Sequence, residues 1–339
     1  MQELIVPKVL KRGDTIALIS VSRGRAGDED MRDRYETGKK RLEEIWGVKA
    51  VPTPNALAGS DFLYEHPEKR AEDFTWALKN KEINGIICMM GGDDSYRVFP
   101  YIDLEAVANN PKVFMGYSDI TSWMAVFAKA GVRAYYGPNL LTPIAQPISL
   151  DKYTKAAITK CLFTTEILGE VPSCDKYTNI EWRAVSEDEI VWTLNTGYRI
   201  IQGEGVVRGR IFGGCAGPLQ QIIGTDFFPA SDFFRDCILA LEVHSPYGST
   251  LAGLHQLRSL DAAGVFKYLT GIVTGQMDEA EERMLTRFLK YEARREDIPV
   301  LANVDFVHRT PMTVLPMGAM AEIDCRNATF KILEAGVTD

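Results

Sequence analysis

Two α/β domains are the organisation this sequence predicts, and three observations carry that expectation. The chain has 339 residues, longer than a usual single domain. Up to about residue 140, short apolar runs alternate with longer amphipathic stretches, the pattern of a parallel sheet covered by helices on both faces. Near residue 145 the alternation breaks, and strand-like and helical patterns resume only beyond a proline-bearing stretch.

Taken in order, Thr15-Ile16-Ala17-Leu18-Ile19-Ser20 reads as a buried strand. The segment Met31 to Trp46 sets Tyr35, Leu42, Ile45 and Trp46 on one helical side, and Gly47 stops it. Pro67 suits the first turn of a second helix that turns Ala71, Phe74 and Leu78 inward. Ile83 to Met90 and Val113 to Tyr117 are further buried strands, the latter leading into a helix over Trp123 to Ala128. Pro143, Pro147 and Pro172 punctuate a connection that stays polar through Glu189. Tyr198 to Phe212, interrupted by Gly203, Gly205 and Gly209, reads as bent strands, and Cys237 to Val243 as a strand ending in polar residues. Asp278 and Glu281 form a D-x-x-E capping pattern for a helix through Arg294. Strands follow at Val300 to Phe306 and around Val314 and Phe330. The expected boundaries are an N-terminal domain over 1–165, a connecting loop over 166–188 and a C-terminal domain over 189–339.

Composition narrows the function classes. Apolar residues make up 46 % and charged residues 25 %, and the net charge is −8 with the acids dispersed. A polymer of nucleic acid is therefore not the expected partner, because phosphate binding needs a clustered basic surface. No apolar run approaches the ~20 residues that span a bilayer, and the first residues lack the basic and apolar regions of a signal peptide. The six cysteines form no CxxC pair, which fits reduced thiols and a cytoplasmic protein. H-E-x-x-H, cysteine-cluster and Walker patterns are missing, so the sequence offers no motif for zinc or for a nucleotide phosphate.

The segment Phe114 to Thr121 carries the most chemical information. Ser118 stands between an apolar strand and a helix, where a sharp turn would expose its hydroxyl and aim the Asp119 N–H at a developing oxyanion. A helix-capping serine is the competing reading. The turn Gly91-Gly92-Asp93-Asp94-Ser95 offers a second oxyanion N–H or is simply a turn. Four histidines are available as base: His66 at a helix start, His255 within a helix, His244 just past the strand of Glu242, and His308 on a loop before Arg309-Thr310-Pro311.

Together these segments resemble the LD-carboxypeptidase family of serine peptidases over essentially the whole chain. The likeness rests on Gly13-Asp14-Thr15-Ile16-Ala17, Gly91-Gly92-x-x-Ser95-x-Arg97, Tyr101-Ile102-Asp103 and Gly116-Tyr117-Ser118-Asp119-Ile120-Thr121. It continues through Gly209-Arg210-Ile211-Phe212-Gly213-Gly214, Gly224-Thr225, Leu241-Glu242, His308-x-x-Pro311 and Leu315-Pro316-x-Gly318. The resemblance implies a flavodoxin- or glutamine-amidotransferase-like N-terminal domain, a smaller α/β C-terminal domain, and an active site in the cleft between them. It also implies a triad of Ser118, Glu242 and His308, an oxyanion hole from Asp119 and Gly92, a homodimer, and no metal or cofactor. Asp93, Val307 and Cys215 depart from the family pattern, Cys215 standing where the microcin-immunity branch typically carries asparagine. The long connection is similar to that branch, where a loop tryptophan stacks on a nucleotide-like group; Trp182 is the candidate here, with a core position as the alternative. The implied substrates are a peptidyl or aminoacyl-nucleotide conjugate or, alternatively, a murein tetrapeptide. A substrate carboxylate would call for an arginine, Arg97 or Arg309, and Asp93 stands beside the oxyanion turn as a further contact. A catalytically silent binding protein of the same fold is the reading from another class.

Overall fold

The computed structural model describes residues 3–147, 149–179, 186, 188, 190–243 and 250–339. The strands of the first half join in one sheet because they are largely apolar, with most of their side chains buried in the core. Thr15–Ile19, Lys49–Pro52, Ile83–Cys88, Val113–Gly116 and Tyr135–Tyr136 lie parallel, with Thr15–Ile19 between Lys49–Pro52 and Ile83–Cys88. This order reverses beside the first strand, and open sheets of this kind bind ligands at the carboxyl ends near such a reversal. Helices Arg32–Trp46, Pro67–Lys79 and Thr121–Lys129 flank the sheet. The first ends at Gly47 in the left-handed conformation, as its position predicts. Under the second and third, Phe74 and Phe114 pack edge-on and stacked against Trp123.

The second sheet has eight strands. Its centre, Val206–Cys215, Cys237–Glu242, Gly271–Thr274 and Val300–Ala302, is parallel. Antiparallel strands close both sides: Met320–Asp324, Thr329–Ala335 and Ile167–Glu170 on one, Arg199–Gln202 on the other. The strands expected over Tyr198 to Phe212 are Arg199–Gln202 and Val206–Cys215, separated at Gly203 and Gly205. The Asp278 capping box forms, but its helix stops at Tyr291 because Arg294 turns left-handed.

Two segments cross the expected boundaries. Ile167–Glu170, expected in the connection, is an edge strand of the second sheet. Leu315–Pro316, expected in the second domain, pairs antiparallel with Tyr135–Tyr136 at the edge of the first. The sequence marks a strand around Val314 but only a connection over 166–188; which sheet offers an open edge is a matter of tertiary contact. The second crossing matters for the site. Met317 N–H donates to the Ala134 carbonyl at 2.8 Å, and Gly318 N–H donates to Ile211 of the second sheet at 2.7 Å. One short segment therefore ties both sheets together just beyond His308.

Candidate active site

Ser118 follows the strand Val113–Gly116 and opens the turn into the helix Thr121–Lys129. Its φ is +66°, a region that a non-glycine residue enters at a cost of about 1–3 kcal/mol. The surroundings hold it there. Asn139 accepts the Tyr117 N–H and donates to the Tyr117 carbonyl, and the Thr121 hydroxyl donates to the Ser118 carbonyl at 2.6 Å. The resulting elbow presents the Ser118 hydroxyl to the second sheet.

That sheet supplies the other two groups. Glu242 ends the strand Cys237–Glu242 and is buried. His308 lies past Val300–Ala302, on a loop held from three sides. Thr310 exchanges backbone hydrogen bonds with Thr178, Gln146 donates to the Thr310 hydroxyl, and Thr313 N–H donates to the Asp305 carbonyl. Glu242 Oε1 accepts from both the His308 backbone N–H and Nδ1, each at 2.8 Å. A carboxylate can only accept, so Nδ1 carries the ring proton and Nε2 is left to accept from Ser118 Oγ, 2.8 Å away. The His308 side chain is 25 % exposed, which leaves the reacting edge reachable from the cleft. The structure thus brings Ser118, Glu242 and His308 into one hydrogen-bonded chain.

Asp119 does more than its sequence position suggests. Its buried carboxylate accepts from the Ser22 hydroxyl at 2.6 Å and from the Asp94 and Ser95 N–H groups at 3.1 and 2.9 Å. This clamps the Gly91–Ser95 turn onto the nucleophile turn. Burial, reinforced by the nearby Asp94 charge, pushes the Asp119 carboxyl above its ordinary value. Gly91 lies directly against Ser118: a side-chain carbon there would sit 2.7 Å from the serine Cβ.

The remaining expected residues divide. Asp93 is exposed and paired with Arg23 at 2.8 Å. Arg97 is engaged by Asp94, the Tyr64 carbonyl and the Tyr64 ring, a packing task beside the buried Arg70–Asp94 pair. Arg309 lies over the Tyr177 ring at 4.6 Å. His255 is exposed on the helix Thr250–Ala262, and His66 pairs with Glu68. Trp182 and His244 lie outside the described residues.

Sequence reasoning missed Tyr136. Its buried hydroxyl accepts the Ser118 N–H and donates to Glu242 Oε2, both at 3.3 Å, and so joins elbow to acid across the two sheets. The turn Gly137-Pro138-Asn139 marks the end of its strand, but nothing local shows what lies opposite. Gly214 makes this approach possible: at φ +137°, any side-chain carbon would fall 2.7 Å from both Thr121 Oγ1 and the Tyr136 ring. Cys215, the next residue, lies with Glu242 and His308 in a group whose possible ligand atoms are all within 4.8 Å of one another. It is the one such group among the described residues.

Comparison with known proteins gives this geometry a context. Residues 16–137 match the LD-carboxypeptidase N-terminal domain and residues 208–323 the LD-carboxypeptidase C-terminal domain. The chain is 28 % identical to the microcin C7 self-immunity protein MccF of Escherichia coli, over 95 % of this chain and 94 % of that protein. It is 25 % identical to a probable murein peptide carboxypeptidase of Bacillus subtilis, over 98 % of this chain and 95 % of that one. The solved structure of MccF in complex with aspartyl sulfamoyl adenosine superposes with a TM-score of 0.86 at 25 % identity, covering 98 % of this chain and all of that one. With both domain models matched in order and relatives aligned from end to end, the chain belongs to the LD-carboxypeptidase family and is a serine carboxypeptidase.

Proposed function

We propose that the enzyme hydrolyses an amide joining an aminoacyl or peptidyl group to a nucleotide-like leaving portion, by a Ser118–His308–Glu242 mechanism. Ser118 Oγ attacks the carbonyl carbon while His308 Nε2 takes its proton, and Glu242 holds the imidazole and stabilises its cation. Asp119 N–H and Gly92 N–H receive the carbonyl oxygen as it becomes negative. His308 then returns the proton to the leaving nitrogen as the C–N bond breaks. Water, activated by the same imidazole, releases the acyl group from Ser118. The observation that carries this reading is the unbroken chain from Glu242 through His308 to Ser118, with each link at 2.8 Å. A binding-only protein would have no use for that chain on a strained elbow.

The choice of substrate leans on the bound aspartyl sulfamoyl adenosine of the superposed MccF structure. The murein tetrapeptide is the second reading, favoured by the probable murein peptide carboxypeptidase among the relatives. In the first reading Trp182 stacks on the base; in the second Arg309, beside His308, meets the terminal carboxylate. Arg97 is less suited to that task, being held by Asp94.

Incubation with aspartyl sulfamoyl adenosine and with murein tetrapeptide, followed by mass, separates the two. Ser118→Ala, His308→Ala and the double variant should each lose about 10⁴-fold or more on the preferred substrate, to similar extents. Near-normal turnover by His308→Ala would move the base elsewhere, with His244 the next histidine to examine.

A further inference from the structure

We propose that Cys215, Glu242 and His308 form a binding site for a thiophilic divalent cation of the zinc class, and that its occupancy switches the peptidase off. The inhibitory half rests on the catalytic reading above; the binding half does not.

Three observations converge. The possible ligand atoms of the three residues lie within 4.8 Å of one another. Cys215 and Glu242 are register partners at the carboxyl ends of adjacent parallel strands, so the backbone itself holds their separation. His308 is fixed against Glu242 by two hydrogen bonds, while its ring keeps an open edge to the cleft, which gives an ion a way in.

The donor set selects the ion. A thiolate, an imidazole nitrogen and a carboxylate oxygen, with a fourth position left for water, form a three-ligand zinc site. The thiolate disfavours magnesium and calcium, which prefer oxygen. Zinc–ligand bonds of about 2.0–2.3 Å around a tetrahedral centre put ligand atoms roughly 3.2–3.8 Å apart. Separations near the 4.8 Å limit must therefore close by about 1 Å, while Glu242 Oε1 and His308 Nδ1, 2.8 Å apart, must open slightly, changes that side-chain rotation can supply without moving the strands.

The balance of the step accounts for the inhibition. One cation enters and the Cys215 thiol releases one proton, so the dication is matched by thiolate and carboxylate. If Nε2 coordinates, the base is blocked by the metal. If Nδ1 coordinates, the ring proton moves to Nε2, which then donates to Ser118 and can no longer accept from it. In both cases Glu242 is turned onto the ion and His308 ceases to act as a base.

The test uses the reduced full-length protein with CoCl₂ and ZnCl₂ as probes. CoCl₂ should produce a sulfur-to-cobalt charge-transfer band in the near ultraviolet that saturates near one equivalent and is abolished by ZnCl₂. Cys215→Ser and Cys215→Ala should both lose the band while keeping the native circular dichroism, and Glu242→Gln should weaken it. ZnCl₂ should inhibit amide hydrolysis reversibly, with recovery on chelation. Its inhibition constant should rise by at least about 10-fold in Cys215→Ser, measured against that variant's own uninhibited rate. A band that persists in both Cys215 variants overturns the site, as does equal zinc inhibition with and without the thiol. A Cys215-dependent band that leaves hydrolysis untouched would keep the site and count against His308 as the base.

Discussion

Replacing Tyr136 by phenylalanine removes a single oxygen and leaves the ring in place against Gly214 and Phe306. That oxygen accepts the Ser118 N–H and donates to Glu242 Oε2. Both contacts measure 3.3 Å, near the long end of the hydrogen-bond range, so each contributes toward the lower end of its class. A neutral bond at about 0.5–1.5 kcal/mol and one to a carboxylate at about 1.5–3 kcal/mol bound the combined loss near 2–3 kcal/mol. Part of that loss falls on the folded state in general. The rest falls on the transition state, when Glu242 faces an imidazolium and the Ser118 turn must stay in its left-handed conformation. A fall in kcat of roughly 10- to 100-fold follows, at 1.36 kcal/mol per factor of ten. KM should change little, because Tyr136 is 0 % exposed and cannot touch a substrate in the cleft. Steady-state kinetics on the preferred amide, alongside thermal unfolding, decide the matter. A large rise in KM at constant kcat would refute the positioning argument, and so would a lowered Tm with full turnover.

Two further outcomes follow from the same contacts. Gly214→Ala should destabilise the protein by about 1–3 kcal/mol and abolish most turnover, because the added carbon wedges Thr121 and Tyr136 away from the second sheet; unchanged Tm and kcat would contradict the close approach. Asp119→Asn should change how stability depends on pH. The Asp119 carboxyl is raised in the folded protein from its ordinary 3.8, so folding favours its protonated form. Its contribution therefore improves as pH falls through the folded value toward 3.8, the reverse of a salt-bridged acid. Denaturant midpoints over that window should shift in favour of the parent relative to Asp119→Asn as pH falls, and a flat or opposite difference would refute the assignment.

The elements that make the two sheets were legible because they depend on local covalent facts. Apolar runs such as Ile83–Cys88 need cover on both faces, Gly47 alone suits the left-handed stop of its helix, and Asp278 and Glu281 satisfy each other's end of a helix whatever lies beyond. The nucleophile turn was legible too, as a strand, a serine and a helix in immediate succession, and its likeness to a known family nominated Glu242 and His308. What local pattern cannot carry is distance across the fold. Ser118 and His308 stand 190 residues apart, and their 2.8 Å contact joins two sheets that the pairing of Leu315–Pro316 with Tyr135–Tyr136 also ties together. Tyr136 bridges elbow and acid only because Gly214, from the other sheet, has no side chain to hold them apart. Cys215 reads as an ordinary buried thiol until the parallel register sets it beside Glu242. Secondary structure follows from the chemistry of neighbours in the chain, whereas these meetings depend on how two sheets pack, and only the tertiary structure decides that.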